Sequence, residues 1–248
     1  MRDFGLKHYR NHPTDTYLSE VEVLEAADGT KILRKENKFR LDDKAMAIVE
    51  FLGHLTTQPH PHLLTPLGFN GEEGGLLTEI YPLVDDSLLI PYSVREAIKA
   101  EKLDINDVVA MMRQLTSALT YIHDLGYAHC DVRPNNIFLS TTEEELHLTL
   151  FDYNNLHRPY FQEEPIDSWL LQVPPELAEG AVQIDARVDV YALGRTLFDL
   201  THTSKGEVIR PLDPAHPVFE IMRQAYAPLS DCYESAVPMH QDLLLLTD

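Results

Sequence analysis

Three oxygen-bearing side chains lie close together in the middle of the chain. Asp131 is followed five residues later by the amide of Asn136, and Asp152 comes at the end of the next apolar run. Carboxylate and amide oxygens, together with phosphate oxygens, are the ligands that Mg²⁺ prefers. Arg133 adds a cation that could offset charge on a transferring phosphoryl group. Because phosphoryl transfer depends mainly on positioning and electrostatics, this set of residues predicts phosphoryl-transfer chemistry.

The first third of the chain predicts β structure around one helix. Residues that alternate between apolar and polar indicate half-buried strands, and Asp-Gly is a hairpin turn signal. The predicted elements are a strand at Val21–Ala26, a turn at Asp28-Gly29, a strand at Lys31–Lys35, a helix from a cap at Asp42-Asp43 to about Leu55, and strands at Leu63–Phe69 and Gly75–Ile80.

The remainder of the chain predicts mainly helices. Apolar residues recur at helical spacing along Ile105–Leu125, and Gly126 follows as a stop signal. Ile137–Leu139 and Leu148–Phe151 are short apolar runs that suit strands, and Val190–Leu200 is a strongly apolar helix. The chain therefore predicts a β-rich region followed by a helical one.

Five segments resemble, in order and near the expected spacing, the signature motifs of protein kinases. They are the helix Gln114–Gly126, the catalytic loop His129–Asn136, the metal-binding segment Leu150–Asn154, the closing motif Pro174-Pro175-Glu176, and the start of a buried helix at Asp189–Gly194. The resemblance implies an α+β, bilobal protein kinase-like fold in a single domain over residues 1–248. It implies a small β-rich N-lobe to about residue 81, a hinge at about 79–87 and a larger helical C-lobe from about 88.

The resemblance also implies roles for the matching residues. They are Asp131 and Arg133 for catalysis, Asn136 and Asp152 for Mg²⁺, and Lys35, Thr78, Glu79 and Tyr81 for ATP. Asp131 would accept or orient the proton of a substrate hydroxyl, and Arg133 would contact the transferring phosphate. Lys35 would pair with ATP phosphates, Thr78 would be the gatekeeper, and Glu79 would begin the hinge that receives adenine.

The small lobe departs from the family pattern. Thr16, Leu18 and Val21 occupy the positions of the family's phosphate-loop glycines, where side chains should crowd the approach of phosphate. The helix glutamate that pairs with the lysine in the family has two possible alignments. An apolar stripe puts Ile48 at that position, whereas counting from the following loop puts Glu50 there.

The catalytic loop also departs from the pattern at one position. Cys130 replaces the arginine that precedes the catalytic aspartate in the family and reads a phosphate on the activation segment. We therefore expect any activity not to depend on phosphorylation of that segment.

These features predict an ATP-dependent phosphotransferase, an atypical Ser/Thr-type protein kinase that uses Mg²⁺ and Asp131. The alternative is a pseudokinase, a binding or scaffolding module with weak or no ATP binding. A small-molecule kinase of the same fold stays open, because the catalytic loop does not name the acceptor.

Composition limits the partners and the compartment. The net charge of −20 argues against nucleic-acid and anionic-membrane binding. It suits a soluble acidic protein, and the alternative is that it attracts a basic protein substrate or protein partner. No apolar run is long enough to span a membrane. The two cysteines suit a reducing, intracellular and cytoplasmic location.

Overall fold

The fold was analysed in a computed structural model of the chain. The structure describes residues 19–25, 29, 31–40, 46–71, 74–83, 87–141, 145–157, 174, 176 and 184–246.

A four-stranded antiparallel sheet forms the N-terminal region. Its strands are β1 (Ser19–Glu25), β2 (Lys31–Arg40), β3 (Gly68–Asn70) and β4 (Leu76–Pro82), in the order β1-β2-β4-β3. The predicted hairpin of β1 and β2 is confirmed, and Gly29 in its connection has a positive φ of 83°. In the register of β2 with β4, Lys35 lies directly opposite Glu79. The sheet therefore brings an ammonium and a carboxylate to neighbouring strands.

Helix α1 (Met46–Thr57) follows β2 in the chain and turns its apolar stripe into the hydrophobic core. Ile48, Phe51, Leu52 and Leu55 are all buried, as the helical spacing predicts. The predicted cap at Asp42-Asp43 lies outside the described residues.

The strand predicted for Leu63–Phe69 is wrong over most of its length, because β3 begins only at Gly68. Pro66 has no backbone N–H to donate to a sheet ladder, which ends strand pairing there. Leu63 instead makes an isolated parallel bridge to Leu150, and the N–H of Leu64 donates to the carbonyl of Leu150 at 2.9 Å. This segment therefore ties the N-terminal region to the strand that precedes Asp152.

Helices dominate the C-terminal region. They are α2 (Pro91–Lys99), α3 (Ile105–Asp124), α4 (Arg187–Thr201), α5 (Val218–Ala225) and α6 (Ala236–Leu245). Strands β5 (Ser87–Leu88), β6 (Ile137–Thr141) and β7 (Leu146–Leu150) form a small antiparallel sheet in the order β5-β6-β7. None of the helices that the structure describes is both long and apolar enough to span a bilayer.

Particular residues define the ends of α3, which leads into the catalytic loop, and the packing of α4, which contacts that loop. Asp104 and Asp107 form a reciprocal capping box at the start of α3, and Gly126 has a positive φ of 79° just after its end. In α4, Gly194 allows close packing, since a Cβ there would lie 3.0 Å from the Cβ of Ala225 on α5. The β-sheet N-terminal region and helical C-terminal region confirm the predicted α+β class.

Asp189 on α4 holds the loop that follows α3. Its carboxylate is fully buried and accepts hydrogen bonds from the backbone N–H groups of His129 and Cys130, both at 2.7 Å. The Nε2 atom of His123 lies 2.9 Å from the same carboxylate. Burial raises the pKa of Asp189, but the contacts with His123 and His129 lower it by more, so the group stays ionised. Asp189 therefore has a structural role, because it holds the backbone of the loop that precedes Asp131.

Replacing Asp189 by asparagine should cost roughly 2–4 kcal/mol of unfolding free energy, because buried N–H donors of the loop lose a charged acceptor. Asp199→Asn on the same helix is the matched control, since the contact of Asp199 with Arg195 is partly exposed. That control should cost less than about 1 kcal/mol. Urea unfolding measures the free energy of unfolding of both variants. Equal losses in the two variants would contradict the role of Asp189 in holding the loop.

Candidate active site

The catalytic loop is strained at the residue before Asp131. Cys130 has a φ of 62°, a left-handed conformation that is costly for a residue with a side chain. The hydrogen bond from its N–H to Asp189 offsets that cost. Burial, with help from Asp189 and Asp131, raises the pKa of the Cys130 thiol well above its usual range. Cys130 is thus a buried, neutral thiol and not a reactive nucleophile.

His129 is packed beneath the loop. Its ring is fully buried, with Nδ1 accepting the N–H of Asp131 at 3.3 Å and Nε2 lying 3.1 Å from the carbonyl of Phe151. Both ring nitrogens are therefore used inside the protein, so His129 supports the loop and is not placed to act as a base.

Asp131 lies at the centre of a small polar cluster. Its Oδ1 forms an ion pair with Nε of Arg133 at 3.0 Å, and its Oδ2 accepts from Nδ2 of Asn155 at 3.2 Å. The Nδ2 atom of Asn136 donates to the Asp131 carbonyl at 2.9 Å. Burial raises the pKa of the Asp131 carboxyl by more than Arg133 and its other neighbours lower it. A raised pKa makes this carboxylate a better proton acceptor than an ordinary aspartate.

Asp152 follows β7 and is also held in a left-handed conformation, with a φ of 66°. The backbone N–H of Phe151, the residue before Asp152, donates to the carbonyl of Asn136 at 3.0 Å. This hydrogen bond joins the two segments that carry the predicted Mg²⁺ ligands. Tyr153 anchors the turn, because its fully buried ring packs 5.0 Å from Phe51 on α1 and its hydroxyl donates to the Leu64 carbonyl. Asp152 is thus fixed at the junction of the two regions.

Lys35 reaches from β2 to this turn. Its Nζ lies 2.9 Å from Oδ1 of Asp152, 2.8 Å from Oδ1 of Asn154 and 3.4 Å from Oε1 of Glu79. Burial lowers the pKa of Lys35, but Asp152 and Glu79 together raise it above its usual value. Burial likewise raises the pKa of Asp152, and Lys35 lowers it by more. Both members of the pair are therefore charged at neutral pH.

Glu79 lies inside β4 with its carboxylate fully buried. It accepts from Nδ2 of Asn37 at 2.7 Å and from the hydroxyl of Tyr81. Alternation along β4 puts Leu77, Glu79 and Tyr81 on the buried face and leaves Thr78 on the other face. The structure thus brings Glu79 and Tyr81 to the Lys35 group but leaves Thr78, the predicted gatekeeper, apart from it.

Neither residue of α1 that could align with the family's helix glutamate contacts Lys35 in the described residues. Ile48 is buried in the core, and Glu50 is exposed and accepts a hydrogen bond from the hydroxyl of Tyr127 at 3.2 Å. The carboxylates beside Lys35 are those of Glu79 and Asp152. Neither alignment of α1 therefore supplies a glutamate to Lys35.

Sequence reasoning missed the amides of this site. Asn37, Asn154 and Asn155 contact Glu79, Lys35 and Asp131 respectively. Asn154 and Asn155 come just after Asp152 and Tyr153 in the sequence, which was the available signal, whereas nothing adjacent in sequence marks Asn37.

Other predicted features lie partly outside the described residues. Thr16 and Leu18 fall there, as does Pro175, whereas Val21 is half-buried within β1. Glu176 is described, and its Oε1 accepts the backbone N–H of Leu229 at 3.3 Å. Among the described residues, no three His, Cys, Asp or Glu side chains cluster as metal ligands.

Comparison with known proteins agrees with this geometry. The protein kinase domain family matches residues 25–225. The chain is 29% identical over 162 residues to the eIF-2-alpha kinase GCN2 of Schizosaccharomyces pombe, covering 57% of this chain and 10% of that protein. It is 31% identical over 114 residues to a probable serine/threonine-protein kinase, glkA, of Dictyostelium discoideum, covering 45% of this chain and 23% of that protein.

A third relative, an Aurora kinase of Patiria pectinifera, matches more of the chain. The chain is 25% identical to it over 195 residues, which cover 75% of this chain and 44% of that protein. The matched segments thus span from a tenth to less than half of these relatives' lengths. Since the family match covers most of the chain, including β2, the catalytic loop and α4, the chain belongs to the protein kinase domain family.

Proposed function

We propose that this chain is an atypical, ATP-dependent Ser/Thr-type protein kinase that uses Mg²⁺ and Asp131 as its catalytic aspartate, with residues 1–248 acting as one domain. The observation that carries the proposal is the convergence of charged groups from distant parts of the sequence. Lys35 of β2 lies 2.9 Å from Asp152. The segment of Asp152 is in turn hydrogen-bonded to that of Asn136, five residues after Asp131.

The donor set fits Mg²⁺. Asp152 offers an ionised carboxylate and Asn136 a buried amide, both hard-oxygen ligands. Lys35 would hold ATP phosphates, since it is charged, nearly buried and set between the two regions. Bound ATP and Mg²⁺ would supply the phosphoryl group and neutralise its charge.

The residues of the chain would do the remaining chemistry. Asp131 would orient the acceptor hydroxyl and take up its proton, which its raised pKa favours. Arg133, paired with Asp131 at 3.0 Å, would stabilise charge on the transferring group. Tyr81, on the buried face of β4, would border the nucleotide in place of Thr78.

Activity would not require phosphate on the activation segment. The buried Cys130 offers no cation to read such a phosphate, and Asp189 already holds the loop backbone. The acceptor would be a protein, and the net charge of −20 would attract one that is basic. A reducing, cytoplasmic setting is part of the proposal, since both cysteines are free thiols.

Two observations favour the second candidate, a pseudokinase that serves as a binding module. Lys35 already has Asp152, Glu79 and Asn154 as partners, so ATP phosphates must compete with groups of the chain itself. Val21 in β1 also stands at a position where the family has glycine. Nucleotide binding separates the two candidates.

Nucleotide with Mg²⁺ should raise the melting temperature of the wild-type chain. In Asp152→Asn, the part of this increase that depends on Mg²⁺ should be lost. At a ligand concentration 100 times Kd, binding stabilises the folded state by about 2.7 kcal/mol. Differential scanning fluorimetry measures the shift, with Asp124→Asn at the exposed end of α3 as the matched control. No shift at millimolar nucleotide would refute the enzyme and favour the binding module.

Asp131→Asn should retain the nucleotide shift and lose phosphate transfer by about 10²–10⁴-fold, because the amide cannot accept the hydroxyl proton. Transfer of labelled phosphate to a basic protein, and to the chain itself, is the measurement. Transfer at the wild-type rate in this variant would contradict the role of Asp131.

A further inference from the structure

The contact between Lys35 and Glu79 is built into the sheet. The two residues face each other on the antiparallel strands β2 and β4, and their side chains lie on the same face. Directly opposed residues of such strands have Cβ atoms about 4.5–5.5 Å apart. The backbone register therefore keeps the ammonium and the carboxylate within reach of each other, and the observed Nζ to Oε1 distance is 3.4 Å.

The carboxylate of Glu79 is itself held in place. Its Oε1 accepts from Nδ2 of Asn37, which also donates to the carbonyl of Leu77 at 3.2 Å. Its Oε2 accepts from the hydroxyl of Tyr81. A buried carboxylate with donors on both oxygens keeps one orientation. Glu79 is therefore a fixed acceptor that Lys35 can be positioned against.

Helix α1 offers no equivalent group. The side chain at the head of its buried stripe is Ile48, and Glu50 is exposed and takes a hydrogen bond from Tyr127. In the family resemblance the lysine is paired by a glutamate of this helix. Here the buried face of the helix carries only apolar side chains toward the core.

We propose that Glu79 of strand β4 is the positioning residue for Lys35, in the role that a glutamate of the small-lobe helix has in the family. The inference rests on the proposed function. Because both partners belong to one sheet, the pair forms without any movement of α1, and the lysine is set in the ligand-free chain.

The position of Glu79 has a consequence for Mg²⁺. Lys35 is shared between the carboxyl groups of Glu79 and Asp152, whose oxygens lie 3.4 and 2.9 Å from its Nζ. Without the carboxyl group of Glu79, Lys35 would pair with Asp152 alone and offset more of its charge. Asp152 would then attract Mg²⁺ less strongly.

The first test measures how much Mg²⁺ the chain needs to bind a non-hydrolysable ATP analogue. Glu79→Gln should raise the Mg²⁺ concentration at half-maximal thermal shift about tenfold, the effect of losing one nearby charge. Glu79→Asp keeps the charge and should stay within about threefold of wild type. Glu50→Gln is the matched control on α1 and should leave the requirement unchanged, because Glu50 is exposed.

The second test needs no nucleotide. The unfolding midpoints of Lys35→Met, Glu79→Gln and their double variant form a double-mutant cycle in the ligand-free chain. A direct interaction makes the midpoint shift of the double variant smaller than the sum of the single shifts. The parallel cycle of Lys35→Met with Glu50→Gln should be additive.

The outcomes separate this inference from the proposed function. An unchanged Mg²⁺ requirement in Glu79→Gln, or an equal change in Glu50→Gln, overturns the positioning role. If the wild-type chain binds no nucleotide, the proposed function fails and the cycle alone decides: additive shifts overturn the pairing of Lys35 with Glu79, and coupled shifts uphold it.

Discussion

The burial of one charged ammonium organises the whole site. An unpaired Lys35 in this position would be strongly destabilising, and its presence is tolerated because Asp152, Asn154 and Glu79 surround it. Those partners come from β4 and from the turn after β7. Because the buried ammonium of Lys35 needs these partners, it links the N-terminal sheet to the turn after β7. The same contact orients the carboxylate of Asp152 towards Lys35.

Two strained residues depend on the surrounding framework. Cys130 and Asp152 both have left-handed backbones, each of which costs of order 1–3 kcal/mol. Asp189 holds the first through backbone N–H groups, and the packing of Tyr153 against Phe51 holds the turn of the second. Such strain is found at functional sites because it directs side chains that relaxed backbones would turn elsewhere. Here the two aspartates lie close enough for the charge of Asp152 to contribute to the raised pKa of Asp131.

The sequence predicted the parts of the fold whose signals are local. The helix expected at Ile105–Leu125 is observed at Ile105–Asp124, because its capping residues and the glycine after it lie next to its apolar pattern. The class of fold was likewise predictable from the family motifs. The strand expected at Leu63–Phe69 was overextended, since Pro66 outweighs the apolar pattern around it.

The electrostatic partners were not predictable in the same way. Glu79 was expected at the start of the hinge, and its burial opposite Lys35 depends on the register of β2 with β4, which nothing in either strand specifies alone. Asn37 and the amides after Asp152 became visible only once the strands were paired. Long-range pairing, not local propensity, determines how this lysine is held.

The most direct test of this account is a crystal structure of the chain with Mg²⁺ and a non-hydrolysable ATP analogue. The account predicts that a carboxylate oxygen of Glu79 stays within about 4 Å of Nζ of Lys35, with Glu50 still on the exposed side of α1. A structure in which α1 has turned to bring Glu50 onto Lys35, and Glu79 has left it, would contradict the account.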